Sequence, residues 1–174
     1  MLVVHPSHTA VPARAQDRIH PSLAGGGCDA SATVLAEAER TSYEAFCSRQ
    51  QAVYLRYAAV RLGDPAEAQE VVEAVLHGLA AAWPLALRDP SPAATAWDRF
   101  TRVVSVRVGG CQSLHGALPP AQADALMLRY RVGLSPGRAA EVTGRLEEEF
   151  TALLHSALRQ ITDSAHYLWH IPTR

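Results

Sequence analysis

Between Leu62 and Glu67 the chain closes one helix and opens another, and few other solutions fit that punctuation. Gly63 supplies the stop, because glycine alone takes left-handed backbone at no steric cost. Asp64-Pro65-Ala66-Glu67 supplies the start: an acceptor at the N-cap, a proline at N1 and a carboxylate at N3. Upstream, Val34, Leu35, Ala38, Tyr43, Phe46, Val53, Tyr54, Tyr57 and Val60 recur at three- and four-residue steps, predicting a helix that begins after Ser31. Downstream, Ala68, Val71, Val72, Val75, Leu76 and Leu79 form an apolar stripe suited to burial. This second helix runs toward Trp83 and is expected to break at Pro84.

The same grammar continues. Arg88 to Pro92 is turn-rich, and a third helix from about Ala93 to Val108 buries Trp97, Phe100, Val103 and Val104 before Gly109-Gly110 ends it. Residues 112–117 show no period and are expected to be a linker. Leu118-Pro119-Pro120 opens a helix with Ala125, Leu126, Leu128 and Tyr130 inward, and Gly133 breaks it. Ser135 can cap a short helix to Thr143, and Gly144 turns the chain into a longer helix carrying Leu146, Phe150, Leu153, Leu154, Leu158 and Ile161. That outline is a helix-turn-helix. Residues 1–30, with Pro6, Pro12, Pro21 and Gly25-Gly26-Gly27, are expected to be disordered. The expected fold is therefore all-α, with a helical bundle over 31–111, a helix-turn-helix domain over 118–162 and an aromatic tail over 163–174.

Aromatic residues make up only 6% of the chain, so Ala, Leu and Val must supply most of the core. The formal net charge is −1, and all 16 basic residues are arginine. A chain that steers to DNA carries a positive excess, so any nucleic-acid affinity here must come from a local patch. Cys28, Cys47 and Cys111 show no CxxC pairing, which argues against a disulfide framework or a zinc site. Cys47 is most simply a small core hydrophobe. His166 and His170 are spaced for one helical face but lack a third ligand, so no metal is expected. There is no phosphate loop and no nucleophile elbow, so neither an enzyme nor a cofactor is expected. No apolar run reaches membrane-spanning length, and a soluble cytoplasmic protein is the plain reading.

Two separated stretches, about two thirds of the chain, resemble the conserved regions of extracytoplasmic-function (ECF) RNA polymerase sigma factors. In the first, a helix ends in Leu62-Gly63-Asp64, the acidic motif Gln69-Glu70-Val71-Val72-Glu73 follows, and Trp83 closes the segment; Ala96 to Val108 sits where the family's strand-opening helix lies. In the second, Leu118-Pro119-Pro120 opens a helix closed by Leu128-Arg129-Tyr130. Gly133-Leu134-Ser135, Ala140-Glu141 and Gly144 follow in the family's spacing, with His155, Ala157 and Leu158 at its closing motif. The resemblance implies a region-two-like bundle followed by a region-four-like helix-turn-helix. It implies that Glu67, Gln69, Glu70 and Glu73 bind core RNA polymerase. It also places Arg99, Arg102, Arg107, Arg138, Arg145, Thr151 and His155 where nucleic acid would be met.

The chain departs from that family at the surface that should read DNA. The recognition helix opens with Glu147-Glu148-Glu149, and Thr151, Leu153 and Ser156 stand where family members carry Lys and Arg. Carboxylates there favour the helix dipole and repel a phosphate backbone. From Leu118 to Ile161 five arginines face five acids. Trp97 and Phe100 could stack bases, but they share a face with Val103 and Val104 and read as core. The acidic motif reads about as well as a solvated helix face. Two functions stay open: a sigma-like transcription regulator that binds polymerase and promoter DNA, or an adaptor that has lost promoter reading and meets polymerase, an anti-sigma-like partner or another regulator. The aromatic tail, Tyr167, Leu168 and Trp169, reads equally as a docking element for a partner or second copy and as a cover for its own domain.

Overall fold

A computed structural model describes the backbone of residues 26–108 and 113–169, with side chains over 31–108 and 114–163. Within these residues the chain is helical and contains no strand. Its elements are α1 (Gly26–Leu62), α2 (Pro65–Ala86), α3 (Pro92–Val108), α4 (Ser113–Ala117), α5 (Pro120–Leu126) with a wide turn over Met127–Arg131, α6 (Pro136–Thr143) and α7 (Glu147–Trp169).

The start and stop signals act as the sequence predicts. Gly63 takes φ +76°, and the Asp64 carboxylate accepts from the Ala66 N–H at 2.8 Å. Ser135 Oγ accepts from the Arg138 N–H at 3.2 Å, and Gly144 ends α6 in the left-handed region at φ +65°. At the head of α7 the Glu149 carboxylate reaches back to the Leu146 N–H at 3.2 Å, as in a capping box.

α1, α2 and α3 form a bundle around aromatic rings. Tyr54 stacks on Phe100 with centroids 4.3 Å apart and planes 9° from parallel. Tyr57 meets Trp97 edge-on at 5.0 Å. Nearer the far end of α2, Tyr43 and Phe46 pack on Trp83, whose indole N–H donates to Ser42 Oγ at 2.7 Å. Trp97 and Phe100 are buried at 4% and 0% exposure, which makes them core residues and not base-stacking ones. Cys47 is half-buried against the same core.

The core does not stop at the bundle. Val53, Tyr57, Trp97 and Phe100 belong to one continuous cluster with Leu128, Leu134, Ala139, Val142 and Phe150. A smaller cluster, Leu118, Ala123, Leu126, Leu154 and Ala157, holds α5 to α7. The helix-turn-helix segment thus leans on α1 and α3.

Several local expectations need correction. Helix α1 starts at Gly26, so residues 26–30 are helical; once a helix is nucleated each further residue adds a hydrogen bond. Residues 1–25 lie outside the described part, as do the side chains of Cys28 and Cys111. Pro84 does not end α2, which continues to Ala86. The proline falls in the last turn, where it removes one backbone bond only, and buried Trp83 anchors that turn. The expected linker is partly helical, because α4 is held by tertiary partners: Leu114 packs into both clusters and His115 bonds Asp124. Tyr130 points outward at 59% exposure; it lies within the π-helical turn Met127–Arg131, where Val132 N–H bonds Met127 O at 2.9 Å. Leu146, Leu158 and Ile161 are likewise exposed, at 67%, 38% and 39%. The tail is the continuation of α7 as far as Trp169; the side chains of His166 and Tyr167 to Trp169, and all of His170, fall outside the described residues.

Candidate functional site

The two faces of α2 separate cleanly. Val71, Val72 and Val75 are buried, while Gln69, Glu70 and Glu73 are exposed and Glu67 is half-buried. Gln69 donates to the Glu73 carboxylate one turn on. The face carrying these acids is open along α2, so a large partner can reach it.

Of the arginines assigned to nucleic acid, Arg102 and Arg145 border neighbouring cavities, while Arg99, Arg107 and Arg138 meet other parts of the fold. Arg107 pairs with Glu67 at 3.7 Å, which ties a candidate nucleic-acid residue to a candidate polymerase residue. Arg99 reaches toward α2, its Nη2 lying 2.9 Å from where a Cβ on Gly78 would stand. Arg138 donates to Gln50 Oε1 at 3.1 Å and to the Arg49 carbonyl, and pairs with Glu141 at 2.8 Å. It is therefore engaged by α1. Thr151 is half-buried and His155 exposed, and Glu147, Glu148 and Glu149 are all exposed beside them.

Sequence reasoning missed a buried polar group between the two halves. Asp124 on α5, 7% exposed, accepts from the Tyr57 hydroxyl of α1 and bonds His115 Nε2 of α4 at 2.8 Å. Burial, then the Asp124 charge and hydrogen bond, push the Tyr57 hydroxyl far above its ordinary pKa, against the opposing effect of Arg61. Burial also raises Tyr54. The residues of this group lie on three helices, so no local period could reveal it.

Beside Asp124 runs a cleft between α3 and α4–α5, with cavity volumes of about 170 and 320 Å³. Asp98, Asp124, Arg102 and Arg145 line it, together with Thr101 and Ser105. Asp98 and Asp124 border both cavities, while Arg145 lines the smaller and Arg102 and His115 the larger. Among the described residues no cluster of His, Cys, Asp and Glu could hold a metal. Nor is any helix among them long and apolar enough to cross a membrane.

In comparisons with known proteins, no family model matches the chain, and no curated protein matches it.

Proposed function

We propose that the protein is a sigma-factor-like transcription regulator that engages core RNA polymerase through the acidic face of α2 and works chiefly by protein contacts. The observation that carries this reading is the division of α2, with its valines inside and Gln69, Glu70 and Glu73 outside. The resemblance assigns a polymerase-binding role to that motif. The local helix-turn-helix geometry, capped by Ser135 and turned at Gly144, supports a region-four-like second half.

Promoter reading is the second reading, favoured by the exposure of Arg99, Arg102 and His155. Three features weigh against it: the Arg107–Glu67 pair, the engagement of Arg138 by α1, and the exposed carboxylates that open α7. Every phosphate left without a cationic side chain lowers the salt dependence of binding by about one unit of slope. An anti-sigma-like or other regulatory protein fits the adaptor role.

The test is a binding measurement with purified core polymerase, comparing the full chain with Glu70→Arg/Glu73→Arg. Binding that the double reversal abolishes supports the proposal, and no binding by the unaltered chain defeats it. Start-site-specific transcription in a reconstituted assay would move the second reading to first place.

A further inference from the structure

The chain uses its few aromatic rings for packing, with one exception. Every other Phe, Tyr or Trp whose side chain is described is buried or half-buried, while Tyr130 is 59% exposed. A ring left in water forgoes the burial that the other rings obtain. Tyr130 sits in the π-helical turn Met127–Arg131, and such turns are rare and recur at functional sites.

Arginines surround that ring. The Arg129 guanidinium carbon lies 5.9 Å from its centroid, and Arg131, next in the chain, is exposed. Arg129 donates to the Leu134 carbonyl at 3.0 Å, and Arg56 of α1 donates to the Val132 carbonyl at 3.4 Å. Each bond uses one nitrogen and holds a guanidinium that has further donors to offer. About 10 Å back along α1, Arg49 and Arg138 share the Glu141 carboxylate. Among the described residues Arg56, Arg129 and Arg131 form no ion pair. The sequence gives the reason, since there is no acid from Ala45 to Leu62 and none from Met127 to Ser135. The seam where α1 meets the turn is therefore strongly positive in a chain whose net charge is −1.

We propose that this seam binds single-stranded nucleic acid, with the arginines on phosphates and Tyr130 stacked on a base. Positive charge alone would suit any polyanion, and the ring decides among them. A duplex hides the faces of its bases, whereas an unpaired base can lie flat on an aromatic side chain. An acidic peptide would meet the arginines and make no use of the ring. The site shares no residue with the acidic face of α2, so it stands or falls independently of polymerase binding.

The test is fluorescence anisotropy of the full chain with labelled oligouridine and oligothymidine of about 16 nucleotides, a DNA duplex of equal length, and labelled polyglutamate. Single strands should bind more tightly than the duplex, and their binding should weaken as salt rises. Tyr130→Ala should weaken it about five-fold or more, while Tyr130→Phe should leave it unchanged. Arg131→Ala should lower the salt slope by about one unit. Both side chains are exposed, so helical circular dichroism should persist, and if one variant loses it the other decides. A preference for oligouridine names RNA as the ligand and one for oligothymidine names DNA; equal binding shows that the sugar is not read, and each of these supports the site. Binding of neither strand overturns it, as does a duplex bound as tightly as a single strand. Binding that ignores both Tyr130→Ala and Arg131→Ala overturns it too. Polyglutamate bound as tightly, and equally well by Tyr130→Ala, would make the partner an acidic protein segment instead.

Discussion

The bundle and the helix-turn-helix are built of different material. In α1 to α3 the core is a set of interlocking rings, with Tyr54 and Tyr57 set against Trp97 and Phe100. In α5 to α7 Phe150 is the one ring among the buried residues that are described, and its apolar company is Leu, Val, Met and Ala, with Asp124 and Thr143 as buried polar residues. Large rings bury much surface and lock one another in place, whereas short aliphatic helices gain less per residue. The second half shares the first's devices, a side-chain cap at Ser135 and left-handed glycines at Gly133 and Gly144, and adds contact with the first half's core. The bundle is thus the anchor, and the helix-turn-helix is its dependent.

Phe100→Ala strains that relation hardest, because it leaves a hole between Tyr54 and Trp97. It should cost about 3–5 kcal/mol and unfold both halves together, as followed by denaturant titration. Separate transitions for the two halves would show that the dependence is wrong. The tyrosines of the same region give a second test. Their folded pKa values are raised, so the stability they contribute is present below the unfolded value near 10 and lost as pH rises past it. Thermal melts should therefore fall steeply above about pH 10, and less steeply in Tyr57→Phe.

Asp124→Ala probes the join and leaves the Tyr57 hydroxyl buried without its acceptor. The expected loss is about 1–3 kcal/mol, and pairing it with Tyr57→Phe should cost less than the sum of the two. The caps compare the halves on equal terms. Asp64→Ala and Ser135→Ala should each cost about 1 kcal/mol by chemical denaturation. A much larger effect for Ser135 would mark the second half as the more marginal.

The smallest effect is expected at Glu141. Burial works to raise its carboxyl pKa, but hydrogen bonds and charge from Arg138 and Arg49 outweigh it, and the net shift is downward. A depressed value stabilises above the unfolded pKa and ceases to do so as pH falls through the folded one. An exposed pair of this kind is worth about 0–1 kcal/mol. Scattering below about pH 4 should show slight loosening that Glu141→Gln already shows at neutral pH.

Much of this architecture was legible in the sequence, because it was written in short-range signals. Asp64, Ser135 and Gly144 mark helix ends by chemistry confined to a few residues, and the valine stripe of α2 marks its buried side. Trp97 and Phe100 declared themselves core by sharing a face with Val104. What escaped was made by partners distant in sequence. Nothing local announces that Arg49 will meet Glu141, that Asp124 will accept from Tyr57, or that His115 will fix a turn of helix where a linker was due. The pairings of Arg107 with Glu67 and of Arg138 with Glu141 escaped for the same reason, since a residue's type does not reveal which acid it will face.

Tyr130 was misplaced by a different cause, the wide turn at Met127–Arg131. Such a turn holds one residue more than an α-turn, so it advances everything after it by about 100° around the axis. The chain's length at this point acts as a gear tooth. A variant with one residue deleted there would keep Leu128 where it is and swing the following tyrosine toward the interior. In doing so it would carry Gly133 and Ser135 out of step with the helices they separate. Among relatives, a single gap at this position would therefore be worth more attention than several substitutions.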